Sequence, residues 1–243
     1  MIVQNLTQVQ NRIAQAVTRA GRNPADVTLV GVSKHRPVEA MLAAYRAGLR
    51  HFGENRVEEI LAKIPDFLAQ THSADPPTIH MIGHLQSRKV ADALRYSQMI
   101  HSVDTVKLAE RIDRLAHRGN HPPMPILLEC NVSGEAAKAG FKVADWQQDQ
   151  AVLTAFLEGV EAILALSYVQ VLGLMTMAPI VSEPEQTRPV FSSLRKLMIA
   201  CAEAFPQTEW RHLSMGMTDD FEVAVEEGAT LLRVGRAIFE GGV

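Results

Sequence analysis

A single α/β domain, a parallel (β/α)8 barrel of the TIM type with an extra N-terminal helix, is the fold class predicted by the sequence, and three observations predict it. Eight strand-like runs alternate with helical patterns from end to end. An open doubly wound sheet would want a glycine fingerprint after its first strand, but that turn reads Ser33-Lys34-His35-Arg36-Pro37. The third observation is the lack of a linker. Asp75-Pro76-Pro77 and His121-Pro122-Pro123-Met124-Pro125 read as loops entering strands, so residues 1–243 are taken as one domain.

An amphipathic helix over about Val3–Ala20 opens the chain. The first strand, Val27–Ser33, is an apolar β-type run, and Pro37 just beyond it can open a helix over Val38–Ala47. The alternation continues with strand Arg50–Gly53, helix Asn55–Ala69, strand Thr78–Gly83, helix Gln86–Tyr96, strand Gln98–Val103 and helix Val106–Arg118. Strand Pro125–Val132 and helix Asp145–Ala165 follow. The last three strands are Tyr168–Met175, Glu209–Met215 and Thr230–Val234, separated by helices Glu185–Phe205 and Asp219–Glu227. Ala162 to Val181 lacks charge and has about the twenty residues a bilayer span needs. Ser167, Tyr168, Gln170 and Thr176 interrupt it, Gly173 and Pro179 punctuate it, and its β-branched centre reads as a strand after a helix end.

The 47% apolar content is that of an ordinary globular core, and the formal charge of −3 is mixed along the chain. No basic stripe offers itself to nucleic acid and no polybasic patch to a membrane, so a small molecule is the expected partner. Cys130 and Cys201 form no metal-type spacing, and the amino terminus has no secretion pattern, which leads to an expected cytoplasmic location. Without a secretory route the triplets Asn5-Leu6-Thr7 and Asn131-Val132-Ser133 are chance matches to glycosylation acceptors.

Lys34 ends the first strand, at the barrel face where such folds place their chemistry. In a closed barrel the first and last strands are neighbours, which brings Lys34 beside Arg233 and the seventh-strand end at Ser214. Leu213-Ser214-Met215-Gly216-Met217-Thr218 and Arg233-Val234-Gly235-Arg236 supply small residues and backbone amides near helix starts, positions that suit a phosphate. A lysine amine, an anion cradle and an arginine between them match what pyridoxal phosphate requires. Singly, each has a plainer reading: Ser214 and Gly235 as turn residues, Arg233 paired with Glu226 or Glu227, Asn55 as a helix cap. His80, His84 and His101 read as hydrogen-bonded groups rather than metal ligands, and Met175, Met177, Met215 and Met217 as barrel packing.

Eight ordered motifs then resemble one family. They are Val32-Ser33-Lys34, Phe52-Gly53-Glu54-Asn55-Arg56-Val57-Glu58-Glu59, His80-Met81-Ile82-Gly83-His84-Leu85-Gln86, His101-Ser102-Val103-Asp104, the segment Asn131 to Gly140, Gly173-Leu174-Met175-Thr176-Met177-Ala178-Pro179, Ser214-Met215-Gly216-Met217, and Arg233-Val234-Gly235. Together they cover nearly the whole chain, which is similar to the pyridoxal phosphate homeostasis proteins, single-domain relatives of the amino-terminal barrel of alanine racemase. The resemblance implies a Schiff base between Lys34 and pyridoxal 5′-phosphate, with Asn55 against the cofactor and Arg233 facing its pyridine nitrogen. Ser214 with the backbone around Met215 and Gly216, and Gly235 with the amide of Arg236, would hold the phosphate. An always-cationic arginine there disfavours protonation of the ring nitrogen and weakens the electron sink.

The same resemblance implies a vitamin B6 homeostasis role: the cofactor is buffered, or delivered to apo-enzymes, by a monomer or weak dimer without robust turnover. Alanine racemase draws a tyrosine base from a second domain of a partner subunit, whereas this chain ends at Val243 and its tyrosines, Tyr45, Tyr96 and Tyr168, fall inside helices or strands. An amino-acid racemase or lyase using the same lysine is the alternative enzyme reading; a regulatory module that binds another protein is a third. Ile79, Arg88, Arg236 and Glu240 depart from the family's usual residues, and Arg236 would add a cation beside the phosphate.

Overall fold

The computed structural model describes residues 1–241; Gly242 and Val243 lie outside the described residues. In chain order the elements are α1 (Ile2–Arg19), β1 (Thr28–Val32), α2 (Val38–Arg46), β2 (His51–Glu54), α3 (Val57–Ala69), β3 (Thr78–Met81), α4 (Val90–Ala93), β4 (Met99–Val103) and α5 (Val106–Arg118). They continue with β5 (Met124–Asn131), β6 (Phe141–Lys142), α6 (Gln150–Leu164), β7 (Val169–Met175), α7 (Arg188–Ala204), β8 (His212–Ser214), α8 (Phe221–Glu226), β9 (Leu231–Val234) and α9 (Arg236–Phe239). Strands β1, β2, β3, β4, β5, β7, β8 and β9 pair in that order, all parallel, and β9 returns to β1. This is the expected closed eight-stranded barrel.

Side chains alternate in and out along each strand, which divides the core into two compartments. Outward residues such as Phe52, Ile79, Ile100 and Leu128 join Phe67, Phe191 and Phe221 in a layer between strands and helices. Inward, Val30, Leu127, Leu172, Met175 and Leu231 form a small apolar plug. The register of β5 on β7 slips between Ile126 and Leu127. There Gly173 comes so close to β8 that a Cβ would sit 1.9 Å from the His212 carbonyl oxygen, so no other residue fits.

α1 buries Leu6, Val9, Ile13, Ala16 and Val17 along one stripe and packs on α2, α8 and α9, straddling the seam between β1 and β9. Arg12 grips Glu222 through two bonds of 3.0 Å, and Arg22 donates to the carbonyls of Val225 and Ala229.

Several boundaries differ from the sequence expectation, and local chemistry accounts for them. The helix expected over Asp145–Ala165 starts only at Gln150, because Asp149 accepts from the Ala151 amide at 2.9 Å and caps it there. The Gln86–Tyr96 helix is reduced to one 3₁₀ turn, Ser87–Lys89, and the single turn of α4. The Glu185–Phe205 helix opens with a 3₁₀ turn over Pro184–Thr187. The two-residue β6, paired with β5, and the short α9 were not expected. Among the described residues no helix is long and apolar enough to cross a membrane. The uncharged stretch from Ala162 is divided between the end of α6 and β7.

Candidate cofactor site

Following β1, the chain turns at Lys34 and His35, with His35 held at a φ of 59°. Lys34 is exposed at the rim of the barrel mouth. The turn is clamped from behind by a buried charged cluster that the sequence reading missed. Lys63 of α3 donates to the Ser33 carbonyl at 2.7 Å and lies 2.8 Å from Glu54 and 2.9 Å from Glu59. The Ser33 hydroxyl donates to Glu54 at 2.5 Å, and the His35 amide donates to Glu59 at 2.7 Å. Burial pushes the Glu54 carboxyl up against the pull of Lys63 and Ser33. Burial also works upward on Glu59, but the His35 amide and Lys63 prevail and its pKa is lowered.

Deeper in the mouth, Arg233 stands level with Val30 of β1 and is only 4% exposed. Its guanidinium donates to Ser214 Oγ at 2.6 Å and to the Thr176 carbonyl at 2.9 Å. Burial lowers its pKa to about 10, with Asp220 and Glu129 acting the other way from a distance. Glu226 and Glu227, offered by the plainer sequence reading, are taken by Arg19, Arg188 and Arg195. Among the described residues Arg233 has no ion-pair partner. A buried cation with five donors, two of them used, is a site for an acceptor.

Behind Arg233 a line of hydrogen bonds crosses the barrel interior. Ser214 Oγ lies 2.9 Å from His101 Nδ1, His101 Nε2 lies 2.9 Å from His80 Nδ1, and His80 Nε2 lies 3.0 Å from His51 Nδ1. Burial lowers the His80 pKa to about 3, helped by the neighbouring His51 and His212, and drives His101 well below the ordinary value. Both rings are therefore neutral at pH 7. The unfolded chain takes up protons on them below about pH 6.5 while the folded chain does not. Their contribution is intact above that value and is lost as the pH falls below it, at up to about 1.4 kcal/mol per pH unit for each ring. The raised carboxyls of Glu54, Glu129 and Asp220 act oppositely as they take up protons in the folded state. A His80→Gln substitution isolates the ring: its urea midpoint is expected to fall less between pH 7 and pH 5 than that of the wild type, and parallel slopes would disprove a buried neutral His80.

The remaining residues singled out in the sequence divide into two groups. Asn55 is half-buried after β2 and does not cap α3, whose N-cap is Arg56. Gly83, just beyond β3, lies close against it, since a Cβ there would be 2.3 Å from the Asn55 carbonyl oxygen. Gly216 and Gly235 sit at the ends of β8 and β9, and among the described residues the amides of Gly216 and Arg236 donate to no acceptor. Two of the residues expected at the phosphate have other partners in this structure. The Met215 amide is already given to the Leu231 carbonyl, and its side chain points into the outer core. Ser214 is fully buried, with its hydroxyl held between Arg233 and His101. Register, which places Ser214 inward and Met215 outward, decides both. The Arg236 side chain is exposed and paired with Asp219. Met175 lies in the inner plug, Met217 is half-buried, and Met177 is partly exposed.

The family model of the alanine racemase N-terminal domain matches residues 4–241. A pyridoxal phosphate homeostasis protein of Pseudomonas aeruginosa is 38% identical over 239 residues, which cover 98% of this chain and 94% of that one. A crystal structure of an unknown protein from Bifidobacterium adolescentis superposes with a TM-score of 0.87 at 35% identity, covering 98% of this chain and 94% of that one. PipY of Synechococcus elongatus, solved with PLP bound, gives 0.78 at 35% identity, with 98% of this chain and 100% of PipY covered. The fold is thus that of the alanine racemase N-terminal class of barrels. Within that class, the chain belongs to the pyridoxal phosphate homeostasis protein family.

Proposed function

We propose that the protein binds pyridoxal 5′-phosphate in the barrel mouth and takes part in its homeostasis, buffering the cofactor or passing it to apo-enzymes without robust catalysis. The observation that carries this reading is Arg233, a buried guanidinium with spare donors beside the strand that leads to Lys34. The bound group supplies an aldehyde, a pyridine nitrogen and a phosphate. The Lys34 amine condenses with the aldehyde to a Schiff base, releasing one water. Arg233 donates to the ring nitrogen, which keeps that nitrogen unprotonated. The free amides of Gly216 and Arg236, with Gly235 allowing close approach, hold the phosphate, and Asn55 lines the cofactor's flank. An exposed Lys34 suits exchange of the cofactor with water or an incoming amine.

The position of the phenols supports a carrier over a racemase. Tyr45 donates to the Asp75 carbonyl beyond α3, and Tyr168 stacks on His117 with ring centroids 4.5 Å apart before β7 begins. Neither stands at the mouth, and Tyr96 precedes β4 at the opposite end of the strands. Mixing the protein with pyridoxal 5′-phosphate is expected to give a visible absorption band, and borohydride reduction with peptide mapping should place the pyridoxyl group on Lys34. A label confined to another lysine would refute the assignment. In deuterated water, L- and D-alanine should keep their α-protons over many protein equivalents. Multiple-turnover deuteration that needs Lys34 would make the protein an enzyme.

A further inference from the structure

The line from Ser214 to His51 has a polarity that Arg233 sets. A guanidinium only donates, so Ser214 Oγ accepts at that contact. The hydroxyl carries one proton, and among the described residues His101 Nδ1 is the only acceptor within reach of it. A buried hydroxyl proton left without a partner is costly, so it goes to Nδ1. His101 then carries its proton on Nε2 and gives it to His80 Nδ1; His80 likewise carries Nε2–H and gives it to His51 Nδ1. His51, half-buried, lines a cavity of about 390 Å³ between α1 and the opposite end of the barrel. The reverse polarity, with all three protons on Nδ1, would leave the Ser214 proton with no acceptor among these residues.

We propose that His101, with His80 and His51 behind it, is a positioning residue for Arg233: its Nδ1 lone pair holds the Ser214 proton away from the guanidinium and makes Ser214 Oγ an acceptor. All three rings are fixed as Nε2–H tautomers. Ser214 therefore serves the arginine, and the histidines extend the mouth's support through the barrel to its far end. The neutral state of His80 and His101 agrees with this, since a second ring proton would set two donors face to face. The charged or titratable groups acting on the two rings are Arg233, His51 and His212. The consequence for cofactor retention rests on the reading that Arg233 faces pyridoxal 5′-phosphate.

Long-range 1H–15N correlation spectra of the labelled full chain report ring tautomers with no cofactor present. His51, His80 and His101 are expected to show Nε2–H together, and a mixed pattern or Nδ1–H would overturn the proposal. His101→Gln retains one acceptor and one donor, whereas His101→Leu retains neither. Pyridoxal 5′-phosphate retention should therefore fall about tenfold or more in the leucine variant and stay within about twofold of wild type in the glutamine variant. Equal losses in both would reduce His101 to packing and overturn the proposal. If the leucine variant does not fold, Ser214→Ala replaces it: His101 then loses the contact that fixes its tautomer, and an unchanged Nε2–H pattern with undiminished retention would count against the proposal. A wild type that takes up no cofactor would end the cofactor reading, and the tautomers alone would then decide the positioning claim.

Discussion

Replacing Lys34 with alanine is expected to abolish the visible band and to weaken retention of pyridoxal 5′-phosphate roughly a hundred- to a thousand-fold, or ~2.7–4.1 kcal/mol. On the proposed binding mode the loss is large because the other contacts, donors to the ring nitrogen and to the phosphate, would have to hold the ligand without a covalent bond. It is not total, because a charge-assisted phosphate contact survives the substitution. Lys34→Arg separates chemistry from charge: arginine keeps the cation at the rim but forms no Schiff base. Equilibrium dialysis of the two variants should give losses of similar size. Full retention by the arginine variant would mean that Lys34 contributes only its charge. Because Lys34 is exposed, neither variant is expected to change the free energy of urea unfolding by more than about 0.5 kcal/mol.

The second large effect is expected at Lys63. Its ammonium is the cation facing the fully buried Glu54, and it also holds the Ser33 carbonyl. Lys63→Met fills a similar volume but leaves that carboxylate without its partner, which costs about 3–5 kcal/mol in comparable buried pairs. Part of the loss returns at low pH. Glu54 already has a raised pKa, and without Lys63 it takes a proton more readily, so the destabilisation should shrink as the pH falls below neutrality. Urea unfolding at two pH values checks this, and an equal deficit at both would show that Glu54 stays ionised. Removing the clamp also frees the turn that carries Lys34, so cofactor uptake should suffer in the folded variant.

Alternating strand and helix patterns made the barrel legible, and closure followed from the count of eight. Boundaries were legible to within a few residues wherever a β-branched run met proline, as at Thr28–Val32 before Pro37. They were less so where a single cap decides the start, as with Asp149. Neighbourhood at the mouth was legible because β1 and β9 must pair in a closed sheet. Contacts were not. Lys63 follows Glu59 by four positions and reads as an exposed helical pair, until the fold lays that face of α3 against Ser33 and Glu54. His51, His80 and His101 come from three separate strands, and only the parallel register stacks them into one line. Ser214 was placed at the mouth, but the partners of its hydroxyl come from β4 and β9.

The seam between β1 and β9 has a consequence for the birth of the molecule. Thr28 pairs with Leu231, so the sheet closes only through contacts between strands far apart in the chain. Such non-local pairing slows folding and keeps that edge of β1 open until β9 has been made. At about 5–20 residues per second, Lys34 is made roughly 10–40 s before Arg233. In that interval the nascent chain has its reactive amine but neither the buried guanidinium nor the amides of Gly216 and Arg236. On the proposed function, firm capture of the cofactor would thereby be reserved for chains that have made β9, and the amount of ligand bound in a cell would count closed barrels rather than lysines synthesised.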